Sequence, residues 1–369
     1  MTPELNPPKF SSRLLSLDFM RGLIMVLLMA ESTGLYDHIN EALEPGILRS
    51  FAGQFFHHPW NGLYFWDLIQ PGFMFIAGTA MAYSLQKQWQ NGVSWNESFR
   101  KILVRCFWLF FWGVLNYAVR KNGLSFELWN VLTQLSFTTL VAFLIFRWKI
   151  SYQILFCAAL LLLTEVLYRI TDIPGFDQPF TDQHNFGNYM DLILMNKING
   201  DGWVAINCIP TAVHTIAGAL VGKLLISNGK PLKYLFGWGL ICLVLGYALD
   251  FSGITPIIKR ISTSSFVLAS LGWCLLGLAT CYWWIDVKDH RKCLKFFTIV
   301  GMNSIFIYLF FEIIGHRWFN GYVQTIVHGL TGPVGFGGHT QNILGSLVIF
   351  ALEWGLCWFL YKKKLFFKL

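Results

Sequence analysis

Long apolar stretches, separated by short polar or charged connections, extend along almost the whole of this chain. They run without the alternation of apolar and polar positions that half-buried strands show, and most approach the ~20 residues that a membrane-crossing helix needs. Backbone polar groups in lipid must be satisfied inside a helix or a closed barrel, so the continuous pattern predicts an all-α, polytopic membrane bundle rather than a barrel. About ten transmembrane helices are predicted, over 15–36, 63–86, 102–119, 128–146, 150–169, 203–226, 232–250, 264–285, 296–315 and 342–361.

The overall composition excludes an ordinary soluble domain. Hydrophobic residues make up 55% of the 369 positions and charged residues only 13%, whereas soluble domains carry about 25% charged residues. Neither an internal repeat nor a low-complexity linker divides the chain. Residues 1–369 are therefore predicted to form a single membrane domain.

Basic side chains cluster in alternate connections, which is the distribution that the positive-inside rule describes. The formal net charge of +8 is therefore attributed to membrane orientation and not to a nucleic-acid partner. With an even number of spans, the N- and C-termini are both predicted to be cytoplasmic. The residues assigned to the cytoplasmic side are Lys9, Arg13, Lys87, Arg100, Lys101, Arg105, Arg147, Lys149, Lys223, Lys230, Lys233, Lys288, Arg291, Lys292, Lys295, Lys362, Lys363, Lys364 and Lys368.

The three longest connections, 37–62, 170–202 and 316–341, all fall on the outer face in this topology. Most of the nine histidines lie in them. Long loops above a helical bundle commonly carry binding and catalytic residues. A functional site is therefore predicted to open outward.

Charged residues inside apolar spans are costly and are candidates for function. Glu31, Asp67 and Glu312 lie where their spans approach the predicted outer face. Asp18 and Arg21 are three residues apart near the inner end of the first span, so they can pair on one helix face. That pair has two interpretations, a structural pair that orients the helix or a catalytic one.

The segment from His57 to Gly78 holds the densest set of polar candidates. Histidine changes charge near neutral pH, which suits proton transfer, and Glu31 or Asp67 can orient its ring and raise its basicity. A solvated loop histidine is the alternative. A metal site is not predicted, because His57 and His58 are adjacent and the eight cysteines form no CxxC spacing.

Several tryptophans map near the outer interface, where an aromatic belt explains them more simply than sugar stacking does. They are Trp60, Trp66, Trp129, Trp203 and Trp318. Asn303 lies about two turns into the ninth span. Its amide needs hydrogen-bond partners, so it is predicted either to join helices or to face a cavity.

An ordered series of segments resembles a known family of membrane enzymes. The segments are RLLSLDFMRG (13–22), HHPWNGLYFWDLIQPGFMFIAG (57–78), IPTAVHTIAGALVGKLL (209–225), STSSFVLASLGWCLLGLATCYWWID (262–286) and GMNSIFIYLFFE (301–312). In this order they are similar to the heparan-α-glucosaminide N-acetyltransferase family, including its bacterial acyltransferase relatives. The resemblance covers about residues 13–315.

The resemblance implies that the chain moves acetyl from cytosolic acetyl-CoA to an amino sugar or glycan, glucosamine-like, on the periplasmic side. It also implies a bacterial inner-membrane location, with membrane lipid around the bundle, and a homodimer. The family's proposed catalytic histidine matches His57, and His58 fills the variable place beside it. Ser32 stands beside Glu31 where the lysosomal enzyme has an asparagine, and His214 is unexpected at its place in the sixth span.

The resemblance suggests a division of roles among the candidates. Arg100, Lys101 and Arg105 are assigned to the cofactor's phosphates, and Asn61 or Asn303 to the developing oxyanion. His57, assisted by Glu31 and Asp67, is expected to act either as general base or as a transient acetyl carrier. Residues assigned to the acceptor are His58, Trp60, Asn61, Ser32, His214 and Glu312, and Asn303 is also assigned to the cofactor.

Two other functions fit the sequence. A transporter for a sugar or muropeptide fragment would show the same composition, although it often shows paired broken helices as well. A glycan O-acetylating enzyme would use the same donor with a hydroxyl acceptor. Specific binding of acetyl-CoA separates the transporter from both enzymes.

Overall fold

A computed structural model describes residues 14–120, 123–227 and 231–367, and these form an α-helical bundle. The cytoplasmic residues Lys9, Arg13, Lys230 and Lys368 of the charge pattern lie outside the described parts. The helices are α1 (Leu15–Ser32), α2 (Leu35–Ala42), α3 (Ile47–Ala52), α4 (Ile69–Gln90), α5 (Trp95–Ala118), α6 (Val131–Leu144), α7 (Ile150–Ile170), α8 (Phe186–Met195), α9 (Cys208–Ser227), α10 (Pro231–Phe251), α11 (Ser264–Cys281), α12 (Leu294–Met302), α13 (Ser304–Phe310), α14 (Asn320–Thr331) and α15 (Gly338–Lys362). Strands β1 (Val119–Arg120) and β2 (Gly123–Leu124) pair in an antiparallel hairpin.

Six helical segments in the described parts are long and apolar enough to cross a membrane, which makes the chain a multi-pass membrane protein. They are Phe65–Gln90, Ile150–Ile170, Ala205–Ser227, Pro231–Phe251, Ser264–Val287 and Gly338–Lys362. A seventh is added if two segments that meet at a sharp bend, Leu294–Met302 and Ser304–Val334, count together as one span. Length and apolarity alone therefore give a smaller number than the predicted ten.

The remaining predicted spans correspond to α1, α5 and α6, which do not meet the same criteria. α1 carries Asp18, Arg21 and Glu31, and α6 has only 14 residues. At 1.5 Å per residue α6 is about 21 Å long, less than the ~30 Å of a hydrocarbon core.

Glycines allow the central helices to approach closely. Gly78 of α4 lies against the carbonyl of Thr215 in α9, and Gly218 of α9 lies against the carbonyl of Phe75. A side chain at either glycine would collide with the backbone of the facing helix. Small residues at such crossings are typical of packing between membrane helices.

The ninth predicted span is not a continuous helix, which corrects the prediction of one span over 296–315. The chain bends by 73° between α12 and the helical stretch that begins with α13. Asn303 lies at the break, where its Nδ2 donates to the carbonyl of Leu365 at 3.1 Å and its Oδ1 accepts from Phe367 N at 3.0 Å. Its amide therefore joins the break to the C-terminal segment. A π-helical stretch, Phe311–Phe319, follows α13.

The predicted outer connections contain short helices and meet at one end of the bundle. Trp60 Nε1 donates to the carbonyl of Phe180 at 2.8 Å, and Gly62 N donates to the carbonyl of Ile257 at 2.8 Å. Asn320 Nδ2 donates to the carbonyl of Ser32 at 2.7 Å. These bonds fix the connections over the ends of the helices that carry Glu31 and Glu312.

Candidate active site

Asp67 is the anchor of the polar site at this end of the bundle. It lies in the 3₁₀ turn Phe65–Leu68 that leads into α4, and it is 1% exposed. Its Oδ2 accepts hydrogen bonds from Tyr64 N at 2.9 Å and His58 N at 3.2 Å. Two backbone donors therefore fix the carboxylate and leave Oδ1 to face the neighbouring side chains.

His57 is oriented by that second oxygen. Its Nδ1 lies 3.0 Å from Asp67 Oδ1, an oxygen that only accepts, which favours the tautomer with the proton on Nδ1 and the lone pair on Nε2. The Lys259 ammonium beside the same nitrogen is also a donor, so in this tautomer its proton is directed to Asp67 Oδ1 and not to Nδ1. The His57 side chain is 39% exposed and lines the adjacent cavity. Burial, reinforced by the Lys259 cation, lowers the pKa of His57 below its ordinary value of 6.5, against the opposing pull of Asp67. His57 is therefore neutral, and able to accept a proton, at neutral pH.

Lys259 brings a cation to the same place from the connection between α10 and α11. Its Nζ lies 3.0 Å from His57 Nδ1 and 3.5 Å from Asp67 Oδ1, and its side chain is 7% exposed. Burial lowers the pKa of Lys259 from 10.5 to about 8, although the Asp67 carboxylate opposes this. The ammonium is thus charged at neutral pH and loses its charge under mildly alkaline conditions.

A cavity of about 500 Å³ lies beside the three side chains. It reaches from the outer connections down between α1, α4, α6 and α13. The residues that line it are Met25, Leu28, Glu31, His57, Trp66, Ile69, Gln70, Phe73, Tyr117, Glu127, Trp129, Asn130, Val131, Leu132, Asn199, Gly200, Asp201, Trp203, Lys259, Ile305, Tyr308 and Glu312. The volume suits a small organic substrate.

Carboxylates dominate the charge of the cavity wall. Glu31 and Glu312, from α1 and from the π-helical stretch, both line it, and Asp201 lies in the outer connection above them. Glu312 Oε2 accepts from Asn116 Nδ2 at 3.3 Å. The fourth carboxylate, Glu127, pairs with Lys197 at 3.2 Å. The carboxylates on the wall therefore favour a cationic group.

Three tryptophans line the cavity instead of forming an aromatic belt. Trp203 lies edge-on to His57, with ring centroids 5.6 Å apart, and Lys259 Nζ is 5.4 Å from its ring centre. Trp129 Nε1 donates to Asp191 Oδ2 at 2.9 Å. Asp191 also accepts from the Ala205 amide, and burial raises its pKa to about 7. The third is Trp66, which is 4% exposed.

The other residues of the HHPWNG segment point away from the cavity. His58 packs edge-on against Tyr64, with centroids 4.6 Å apart, and covers the face of Gly62. Trp60 packs with a cluster that includes Tyr168, and Asn61 forms a β-bridge with Ile258. His58, Trp60 and Asn61 are thus not among the lining residues, and their predicted contact with the acceptor remains a prediction.

Three further predicted residues also lie apart from His57. Ser32 is buried and its hydroxyl donates to the carbonyl of Met29 at 2.8 Å. His214 is fully buried in α9, with Nε2 2.8 Å from the Ser270 hydroxyl. Both amide atoms of Asn303 form hydrogen bonds with the C-terminal segment at the break after α12. The structure does not bring either proposed oxyanion amide, Asn61 or Asn303, to the cavity.

The predicted phosphate-binding residues lie along α5. Arg100 and Lys101 are exposed, and Lys101 Nζ donates to Gln88 Oε1 at 3.4 Å. Arg105 is partly buried, and its Nε lacks a hydrogen-bond partner among the described residues. An unpartnered guanidinium nitrogen fits an anionic ligand, so the assignment to phosphates stays open as a prediction.

Asp18 and Arg21 lie on one face of α1, with Arg21 Nη2 2.7 Å from Asp18 Oδ1. The two side chains therefore form the pair on one helix face that their spacing predicted. Neither residue lines the cavity. No group of three or more metal-ligating side chains occurs in the described parts of the chain.

Lys259 is a residue of this site that was not predicted from the sequence. Its neighbours in the sequence PIIKRI are mostly apolar, and a lysine within an apolar connection is a signal for a buried, paired cation. Tyr308 and Gln70, which also line the cavity, carried no comparable signal.

Two known proteins are similar to the chain over nearly its whole length. The heparan-alpha-glucosaminide N-acetyltransferase of Mus musculus is 24% identical and that of Homo sapiens is 23% identical, in each case over 97% of this chain. The chain spans about six-tenths of the length of these relatives, 61% and 60%. No family model matches it. The similarity confirms the resemblance to heparan-α-glucosaminide N-acetyltransferases that the ordered segments indicated.

Proposed function

We propose that this chain is a membrane acetyltransferase that uses His57 as its general base at the cavity. The observation that carries the proposal is the contact of His57 Nδ1 with the buried Asp67 carboxylate. This contact leaves the lone pair of the ring on Nε2, where a substrate can use it. A base held by a second buried group is a common arrangement in acyl-transfer enzymes. The similar mouse and human proteins are named as N-acetyltransferases, which supports the reaction class.

Acetyl-CoA would supply an activated acetyl thioester. Arg100, Lys101 and the unpartnered Nε of Arg105 are the groups of this chain that would hold its phosphates. The residues then divide the remaining work. His57 Nε2 accepts the proton that the acceptor loses as its bond to the acetyl carbon forms, and returns it to the thiol sulfur as the carbon–sulfur bond breaks. Lys259, with its ammonium on the cavity wall, stabilises negative charge on the acetyl oxygen in place of the amides first considered.

The cavity favours an amine acceptor over a hydroxyl acceptor. Glu31, Glu312 and Asp201 place carboxylates around the space that the acceptor would fill. Such a wall attracts an ammonium group and offers an alcohol no comparable advantage. The ammonium releases one proton to solvent before the reaction, and the neutral amine then loses its second proton to His57 as the amide bond forms. Trp129 and Trp203 provide flat apolar faces of the kind on which sugar rings stack. An amino sugar, glucosamine-like, is therefore the proposed acceptor class, and direct transfer is preferred to an acetyl-histidine.

The proposed topology has ten spans in the inner membrane and both termini in the cytoplasm. In that arrangement α1, α5 and α6 complete the bundle around the cavity, and the cavity opens to the periplasm. The acetyl donor then approaches from the cytoplasmic side and reaches His57 through the bundle. A homodimer belongs to the same proposal and rests on the resemblance alone.

Transport of a sugar or muropeptide fragment is the second candidate. Two observations favour it: the helix break at Asn303, since broken helices form many transporter sites, and a buried carboxylate on α15. That carboxylate, Glu353, is 1% exposed, and neither of its oxygens has a hydrogen-bond partner in the described parts.

Acetyl transfer by the purified protein tests the proposal. The protein is incubated with acetyl-labelled acetyl-CoA and either glucosamine or N-acetylglucosamine, and the products are identified by mass. We expect label on glucosamine, at its amine, and thermal stabilisation of the protein by CoA. Labelled N-acetylglucosamine would instead assign O-acetylation. Failure of both acceptors together with no stabilisation by CoA would favour the transporter.

A further inference from the structure

A second groove lies at the other end of α6 from the catalytic cavity. α6 begins beside the cavity residue Asn130 and ends at Leu144, about 21 Å away. Beyond it the connection 145–149 turns into α7, and a groove of about 670 Å³ opens along the outside of the turn. The groove is lined by Arg147, Trp148, Lys149, Tyr152, Leu155, Phe156 and Ala159.

The turn that forms the head of the groove is held in one conformation. Gln153 is 1% exposed, and its Nε2 donates to the carbonyls of Phe146 at 3.1 Å and Trp148 at 2.8 Å. Lys223 Nζ, from α9, also donates to the carbonyl of Phe146. Ile145 and Phe146 are buried below the turn. Because these groups fix the backbone, the intervening side chains are directed outward.

Two cations stand at the head of the groove without acidic partners. Arg147 lies with Cζ 4.7 Å from the ring centre of Trp89, which holds its guanidinium against the end of α4. Lys149 follows two residues later, at the start of α7. Neither forms an ion pair with a carboxylate among the described residues. An anionic group bound here would meet two uncompensated positive charges.

Below the cations the groove is apolar and exposed. Trp148 packs edge-on against Phe156, with centroids 5.8 Å apart. Tyr152 is 57% exposed and Leu155 is 65% exposed along the same side of α7. A hydrocarbon chain laid on these side chains would continue directly from an anion held at the head.

The short length of α6 adds a reason for a lipid at this place. A helix of about 21 Å does not match a hydrocarbon core of ~30 Å, so polar side chains at its end must reach to the headgroup level or draw lipid phosphates inward. Arg147 and Lys149 are placed for both. The cytoplasmic leaflet, where the proposed topology puts this turn, carries the anionic lipids.

We propose that the α6–α7 groove is a specific site for one anionic phospholipid, with its phosphate between Arg147 and Lys149 and an acyl chain along Tyr152, Leu155 and Phe156. The built turn and the two unpaired cations distinguish it from the general aromatic and basic surroundings of a membrane protein. The site does not touch the catalytic cavity. A lipid bound there would be a structural component of the protein in its membrane and not a substrate.

Native mass spectrometry of the detergent-purified protein tests the site. Phosphatidylglycerol or phosphatidylcholine is titrated into delipidated wild-type protein and into the double variant Arg147→Ala/Lys149→Ala. We expect wild type to retain one phosphatidylglycerol and to bind phosphatidylcholine much more weakly. Removal of two cations, each worth roughly 1 kcal/mol, should weaken the first phosphatidylglycerol by about 30-fold.

A matched control comes from the inner end of α15. Lys362, which lies 4.1 Å from the ring centre of Trp358, and its neighbour Lys363 also combine cations with an aromatic ring, and neither lines the α6–α7 groove. Lys362→Ala/Lys363→Ala should bind phosphatidylglycerol as wild type does. A third variant, Ala159→Trp, fills the groove, keeps both cations and should also lose the lipid. Equal losses in both double variants, unchanged binding in Ala159→Trp, or equal affinity for the two lipids would overturn the site.

Discussion

Two histidines of this chain, His57 and His214, differ in almost every respect that matters for catalysis. His57 lies in the connection between α3 and α4, and its side chain is 39% exposed. Asp67 Oδ1 and Lys259 Nζ each lie 3.0 Å from its Nδ1. His214 is fully buried in the middle of α9, and its Nε2 lies 2.8 Å from the Ser270 hydroxyl. The sequence offered both as candidates. An unusual residue in a span is therefore a weaker sign of catalysis than a base that lies at a cavity and beside a buried charge.

The carboxylate makes the larger part of the difference. Asp67 fixes the tautomer of His57, because a carboxylate accepts the Nδ1 proton and leaves Nε2 free. Ser270 donates its hydroxyl proton to the Phe266 carbonyl at 2.6 Å, so it accepts from His214 Nε2–H and leaves the lone pair of that ring on Nδ1, which is buried within the bundle. Of the two histidines, only His57 lines the cavity and is held by a carboxylate.

The largest effect is expected from removing each ring in turn. His57→Ala should lower kcat for acetyl transfer by roughly 10²–10⁴-fold, the usual contribution of a general base, with the fold intact. His214→Ala should keep kcat within a few-fold. Labelled acetyl transfer measured beside the thermal midpoint of each variant separates the two. Near-normal turnover by His57→Ala would refute the assignment of the base.

Asp67→Asn comes next, since it keeps the shape of the side chain and removes its charge. An amide can present its NH₂ to Nδ1 and so favour the opposite tautomer, in which Nε2 carries the proton. We expect kcat to fall by roughly 10²-fold, with little change in binding of CoA. The thermal midpoint of the variant is the control. A fall in that midpoint large enough to unfold the protein at the assay temperature would attribute the loss to stability and not to the base.

Lys259→Met should change the pH profile more than the maximal rate. The lysine cation holds the pKa of His57 down, so its removal should raise that pKa and move the acid limb of kcat/KM to higher pH. In wild type a second limb is expected near the Lys259 pKa of about 8, because activity falls as the ammonium loses its proton. Met should abolish this alkaline limb, and Lys259→Arg should move it upward. An unchanged profile in both variants would remove Lys259 from the mechanism.

The smallest effect is expected at His214, the buried one of the two histidines. His214→Gln can still bond to the Ser270 hydroxyl, so it should lower the free energy of unfolding by about 1 kcal/mol and leave the pH profile of transfer unchanged. Chemical unfolding in detergent and the profile of kcat/KM measure the two quantities. A displaced pH profile would show that the two histidines are coupled.

The pattern of residues along the chain is enough to predict the class of the protein and the region of its site. Apolar stretches that exceed the length of ordinary strands can satisfy their backbone in lipid only as helices, and all ten predicted segments are helical over most of their length. The segment from His57 to Asp67 could be identified because these two residues lie close together in the sequence. Local chain geometry then brings a histidine and a carboxylate together without help from the rest of the fold.

Tertiary structure decided the rest, because contacts over long separations leave no pattern in a single sequence. Lys259 lies 202 residues from His57 and reaches it only through the packing of α10 and α11. Other long-range contacts hold Trp60 at the Phe180 carbonyl and Asn61 against Ile258, and Trp203 lies in the cavity wall beside His57. The break at Asn303 was also invisible, since its partners lie at Leu365 and Phe367. Periodicity specifies which residues leave water, and only the assembled helices specify which of those residues meet.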